Sequence, residues 1–135
     1  MREHASAAVY VYSHFERTTY KKLAAKYPEV CSVAEVEAFF AGSLVKDLFT
    51  DIIRSGSEWP TMSFSIKSIA KFLGFAWRDT QPSGAASIEW FHRYSQTKDT
   101  ELRQRILDYN EDDCRAMRFL VDEIKHLDVR DPSRR

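Results

Sequence analysis

Tyr109 and Asp113 stand four residues apart, inside a stretch whose apolar residues recur at helical spacing: Leu102, Ile106, Tyr109, Met117, Leu120, Ile124 and Leu127. Residues four apart on a helix stack on one face, so the phenol and the carboxylate are neighbours. Counted in steps of four, Asp113 also falls on the apolar stripe, between Tyr109 and Met117. An ionised carboxylate turned toward a core is costly unless a basic partner, a group of backbone amides or a metal ion compensates it. We read the compensation as a metal ion, with Tyr109 orienting a nucleophilic water beside a metal-bound Asp113. Glu111 and Asp112 lie off the stripe and are expected to face solvent.

Glu16 follows closely on an apolar segment, Ala7 to Tyr12. The carboxyl end of a buried strand is where α/β proteins place ligands and catalytic groups. The plainer reading of Glu16 is a first-turn acid favoured by the helix dipole. His14, two residues before it, serves either chemistry or the turn. Asp47, near the end of a second apolar segment, is a metal ligand or the N-cap of the following turn. The run Ser63-Phe64-Ser65-Ile66-Lys67-Ser68, with Lys71 beyond it, puts serines and lysines at a helix start, which suits phosphate contacts. Ser65 and Lys67 are therefore substrate-binding candidates, against the alternative of a capped amphipathic surface helix. Trp90, Phe91 and Tyr94 read as core rather than as a base-stacking platform. There is no Ser-His-Asp arrangement, glycine-rich phosphate loop or zinc spacing.

These groups need elements to hold them. Ala7 to Tyr12 is β-branched and aromatic without polar alternation, as in a strand buried on both faces of a parallel sheet. Phe15 to Lys26 reads as a helix stopped by Pro28, with Phe15, Tyr20, Leu23, Ala24 and Tyr27 as its apolar face. Ser32 with Glu35 forms a capping box for a helix through Phe40, which Gly42 ends. Leu44 to Phe49 is a second strand, Thr50 to Arg54 a helical turn and Ser55 to Thr61 a loop. Ser65 to Leu73 is a short helix, Phe75 to Ser83 a loop and Gly84 to Tyr94 a helix, before the long helix from Leu102 to Leu127. Strand then helix, twice over, is an α/β layer architecture, yet two strands are fewer than a stable sheet needs.

A chain of 135 residues fits one domain, with a polar tail over 128–135. Lys plus Arg equals Asp plus Glu at 20 each, so no global field draws in nucleic acid or an acidic membrane, although a local basic strip beside an acidic site needs none. The two cysteines, Cys31 and Cys114, fit no metal or redox pattern, and no signal peptide precedes them, which leads us to expect a reducing, cytoplasmic setting. No apolar run approaches the length of a membrane span.

Taken together, Tyr109-Asn110-Glu111-Asp112-Asp113 resembles the third motif of the DEDD exonucleases, which have a ribonuclease H-like fold. Val9 to Glu16 resembles their second motif, a buried strand ending in an aromatic-acid pair, with Glu where most members carry Asp. The chain is more closely similar to ribonuclease H-like domains found in bacterial proteins beside RecB-type nuclease or helicase modules. Those domains share an Asp-Leu strand like Asp47-Leu48, a serine-lysine helix start like Ser63 to Ser68, and the Tyr-Asn-Glu-Asp-Asp-Cys run. The resemblance implies two divalent ions, magnesium or manganese, held by four acids and activating water for attack on a phosphodiester. Residue by residue, it makes Glu16 and Asp113 metal ligands, Tyr109 the orienter of the attacking water and Lys67 a neutraliser of substrate phosphate.

The family's first motif, Asp-x-Glu on the first strand, has no counterpart here, since Glu35-Val36-Glu37 lies in the wrong order and in a helix. The first three strands of the fold are then expected upstream of Met1. The chain reads as the carboxyl-terminal portion of a ribonuclease H-like domain, with the edge of the first strand covered by another chain or copy. The expected function is 3'–5' exonuclease-like hydrolysis of a single-stranded DNA or RNA end, weak or absent in the isolated chain because two of four ligands hold magnesium poorly. The expected partners are nucleic acid, a helicase or RecB-type module, or a second chain supplying strands, and no membrane. The competing readings are a non-catalytic module of the same fold that binds nucleic acid or a helicase, and a structural domain in which Arg115, Arg118 or a lysine neutralises Asp113.

Overall fold

The structure, a computed structural model, describes residues 7–127. They form two compact units divided between Phe64 and Ser65.

In the first unit, β1 (Val9–Val11) pairs in parallel with β2 (Val45–Asp47), in the register Val9 to Val45 and Val11 to Asp47. Parallel strands need a crossover, and α1 (Phe15–Lys26) and α2 (Val33–Phe40) supply it, packed on each other. The capping box at Ser32 and Glu35 is formed as its spacing predicts: Ser32 Oγ accepts from the Glu35 amide, and the Glu35 carboxylate accepts from the Ser32 amide. Its helix ends at Phe40. Both strands are shorter than their sequence suggests, and β1 is not buried on both faces: Val11 is buried while Tyr10 is 39% exposed. A two-stranded sheet cannot cover its faces as a wide parallel sheet does. Phe49 to Arg54 winds as a π-helix one residue after β2, where a strand end and a helical turn were expected.

The second unit is helical: α3 (Ile66–Phe72), α4 (Gly84–Thr97) and α5 (Thr100–Ile124), with α5 packed against both others. Asp99 caps α5 by accepting from the amides of Glu101 and Leu102, which fixes the helix start two residues before the apolar stripe begins. Ala70, Trp77, Trp90, Tyr109 and Ala116 form the buried cluster, flanked by Ile66, Phe75, Ala86, Leu102 and Ile106. Of the aromatic trio on α4, Trp90 is core as expected, while Phe91 is 55% exposed.

One expectation about α5 reverses. Its buried residues are Tyr109, Asp112, Ala116 and Leu120, so the deeply buried acid is Asp112, at 3% exposure, and not Asp113. At about 100° per residue, Asp112 lies about 60° to one side of Tyr109 and Asp113 about 40° to the other, so both acids flank the stripe. The segment carrying Trp77 and Arg78 packs over the Asp112 flank and decides which one is covered.

Candidate active site

Ser65 sets the geometry of the second unit's site. Its hydroxyl accepts from the Ser68 amide at 3.2 Å and lies 3.0 Å from the Ser68 hydroxyl, the behaviour of an N-cap. The helix it starts buries Ile69 and Ala70 and carries Lys67, half-buried, toward α5. The Lys67 ammonium donates to the Tyr109 phenol oxygen at 2.5 Å and lies 4.8 Å from the centroid of the same ring. It also stands 3.9 Å from Asp113 Oδ1. Three of the sequence candidates, Lys67, Tyr109 and Asp113, are thereby brought together.

Asp113 has a second neighbour that the sequence did not suggest. The indole N–H of buried Trp77 donates to Asp113 Oδ1 at 2.8 Å. The next residue, Arg78, engages the next acid: its backbone amide donates to Asp112 Oδ2 at 2.8 Å and its Nε donates to Asp112 Oδ1 at 2.9 Å. Arg78 also reaches the Asp108 carbonyl at 3.0 Å and the Glu111 carboxylate at 2.6 Å. Burial pushes the Asp112 pKa up, but the hydrogen bonds and charge of Arg78 outweigh it and hold the carboxyl below its ordinary value. The signal available in sequence was an aromatic-basic pair, Trp77-Arg78, standing in a loop ahead of an acid-rich helix.

The remaining candidates belong to the first unit. Glu16 is the second residue of α1, and its Oε2 is buried without a hydrogen-bond partner. A bare carboxylate oxygen out of water is unfavourable, and a cation would satisfy it. Asp47 is placed otherwise. Its Oδ1 accepts from the amides of Ser13, Phe49 and Thr50 at 2.8, 3.0 and 3.3 Å, and its Oδ2 accepts from the Thr50 hydroxyl at 2.8 Å. The strand register puts Val11 beside Asp47, so one carboxylate ties the ends of both strands and caps the turn that follows. That is the capping reading of Asp47. Ser13 holds φ at 73° beside this junction, a left-handed conformation that its amide bond to Asp47 helps maintain. His14 is exposed, lies 3.0 Å from the Ser13 hydroxyl through Nδ1, and makes no side-chain cap on α1. Among the described residues, no three side chains of the metal-binding types gather.

The amino-acid sequence matches the model of a known family. Residues 1–125 fit the model of the RNase H superfamily. The chain belongs to the RNase H superfamily. Neither a curated protein nor a solved structure gives a significant match. RNase H superfamily membership makes this an α/β nuclease-like domain, a hydrolase class that binds nucleic acid. Among the described residues no helix is long and apolar enough to cross a membrane.

Proposed function

We propose that this RNase H-like chain is a divalent-metal-dependent nuclease domain of the DEDD exonuclease type, acting from the 3' end of single-stranded DNA or RNA. The observation that supports it most is the cluster of Lys67, Tyr109 and Asp113, in which a phenol is held by an ammonium beside a carboxylate.

Asp113 in the second unit and Glu16 in the first are each proposed as a ligand of magnesium or manganese. Their carboxylates are the hard oxygen donors such ions select, and the partnerless Glu16 Oε2 fits a cation ligand. Such an ion would supply Lewis acidity toward the phosphate and would lower the pKa of a water it binds. The chain's own groups supply orientation. Because Lys67 donates to the Tyr109 oxygen, the phenol's own proton is left to point at another acceptor, a water or a phosphate oxygen. The Lys67 charge stabilises negative charge that grows on the phosphate as the bond breaks. Ser65 contributes through the cap that aims Lys67.

Two carboxylates hold magnesium weakly, since the ion keeps most of its waters. We therefore read the chain as a slow nuclease that gains strength when further acids join it, from a second chain or from a RecB-type nuclease or helicase module in a cytoplasmic assembly. The test is a thermal melt with and without manganese, on the wild type and on Asp113→Asn. A manganese-dependent rise that disappears in the variant is expected, because a ligand of the native state raises the midpoint by mass action. No rise in the wild type would sink the metal-dependent reading.

One observation favours a second reading. Lys67 already stands 3.9 Å from Asp113, so the acid has an internal cation. A non-catalytic module that binds nucleic acid or a helicase would need no more. In that case single-stranded nucleic acid raises the midpoint and manganese does not.

A further inference from the structure

Two consecutive residues of one segment engage two consecutive acids of α5: Trp77 donates to Asp113 and Arg78 to Asp112, each at 2.8 Å. The two acids are left in different states. Both Asp112 oxygens are taken by Arg78 and the residue is 3% exposed, so it is an anchor. Asp113 keeps 34% of its side chain exposed, with Oδ1 bonded to the indole.

We propose that Trp77 is a positioning residue for Asp113, and that the Arg78–Asp112 pair sets where Trp77 stands. The proposal rests on Asp113 being a metal ligand, as argued above. An aspartate side chain turns freely about its bonds unless something holds its carboxylate. The indole N–H is a donor only, so it cannot reverse its role, and the Trp77 ring is itself fixed edge-on against Phe75 with centroids 4.8 Å apart. A carboxylate already held by a rigid donor loses less freedom on taking a cation, and its second oxygen is the one left to an incoming ion. Partners of this kind, one bond removed from the metal, typically control metal affinity by about 10- to 100-fold. The sequence's other acid of the pair, Asp112, then serves the site through structure alone.

The experiment uses the full chain and manganese alone as probe. Manganese broadens nearby nuclear resonances, so the concentration that half-broadens the Asp113 backbone amide reads affinity without any activity assay. In Trp77→Phe this concentration should rise about tenfold, while the metal-free spectrum stays native. Because Phe is smaller than Trp and this variant can fail to fold, a second variant replaces Trp77 with benzothienylalanine, which keeps the ring shape and lacks the N–H. It should show the same rise. In the Asp113→Asn background the substitution at Trp77 should change nothing further. An unchanged concentration in the Trp77 variants, with a responsive wild type, overturns the positioning role and leaves the metal reading intact. A wild type that does not respond overturns the metal reading and the positioning role with it.

Discussion

The ammonium of Lys67 and the phenol of Tyr109 meet at 2.5 Å, and they come from helices 42 residues apart in the chain. That contact places a positive charge, a hydroxyl and the Asp113 carboxylate on one small surface of the second unit. Its consequences differ for stability and for chemistry.

Lys67→Ala removes the charge and the donor to Tyr109. Lys67 and Asp113 are each about a third or less exposed and 3.9 Å apart, a loose pair worth under about 1 kcal/mol. Most of the cost, about 1.5–3 kcal/mol, therefore comes from the charge-assisted bond to buried Tyr109. If Lys67 stabilises transition-state charge, nuclease rate falls about 100-fold in the same variant. Urea unfolding and manganese-supported digestion of labelled single strands measure the two separately. A rate equal to wild type would leave Lys67 with a structural role only.

Asp112 and Asp113 should respond unequally to substitution. Asp112→Ala breaks the bonds from the Arg78 amide and guanidinium in a buried place, which costs roughly 2–3 kcal/mol, less than a fully buried pair because Arg78 is 44% exposed. Asp113→Asn keeps an oxygen for the Trp77 indole and should cost under about 1 kcal/mol. Denaturant midpoints for the two variants decide the order. A larger loss at Asp113 would contradict the assignment of Asp112 as the anchor.

Stability should fall at both ends of the pH scale, by different groups. Arg105 holds the Asp79 carboxyl below its ordinary value, chiefly by its hydrogen bond, and Arg78 does so for Asp112 against the opposing effect of burial. A folded-state pKa lower than the unfolded one gives stability that is present above the unfolded value, about 3.9, and lost as pH falls through the folded one. Asp112→Asn should therefore flatten the acid limb of a melting curve. Tyr12 behaves in reverse: burial, then the negative charge of Asp47, raise its pKa to about 12. Its hydroxyl donates to the Phe64 carbonyl at 2.6 Å. That contribution is full below the unfolded value of about 10 and is lost as pH rises toward 12. Tyr12→Phe should remove this alkaline loss, as read by melts between these values.

Asp47→Ala should loosen the first unit. The variant strands three amides at the ends of two strands, and loss of such a cap costs about 1–2 kcal/mol. Asp47→Asn, which keeps Oδ1 as acceptor, should lose less. Hydrogen exchange at the amides of Ser13 and Phe49 gives a direct reading, and protection unchanged in Asp47→Ala would refute the tie.

The helices were legible in the chain because their signals are local. The box at Ser32 and Glu35, the cap at Ser65 and the apolar period after Asp99 each act within one or two turns, and each marks an observed helix start. The α/β class was legible for the same reason, from two apolar segments each followed by helix. The tyrosine-acid spacing marked Tyr109 and Asp113, the serine-lysine helix start marked Lys67, and the fold gathers those three. What periodicity left open was which of two adjacent acids is buried, because Asp112 and Asp113 flank the stripe nearly equally. That choice was made by Trp77 and Arg78, residues 34 to 36 positions away, whose packing over one flank supplies an N–H to each acid and a guanidinium to the covered one. Asp47 is the same lesson in the first unit: only the strand register brings the Ser13 amide to it and makes it a tie between both strand ends. Hydrogen-bond partners distant in sequence leave no periodic trace, so tertiary structure alone could assign them.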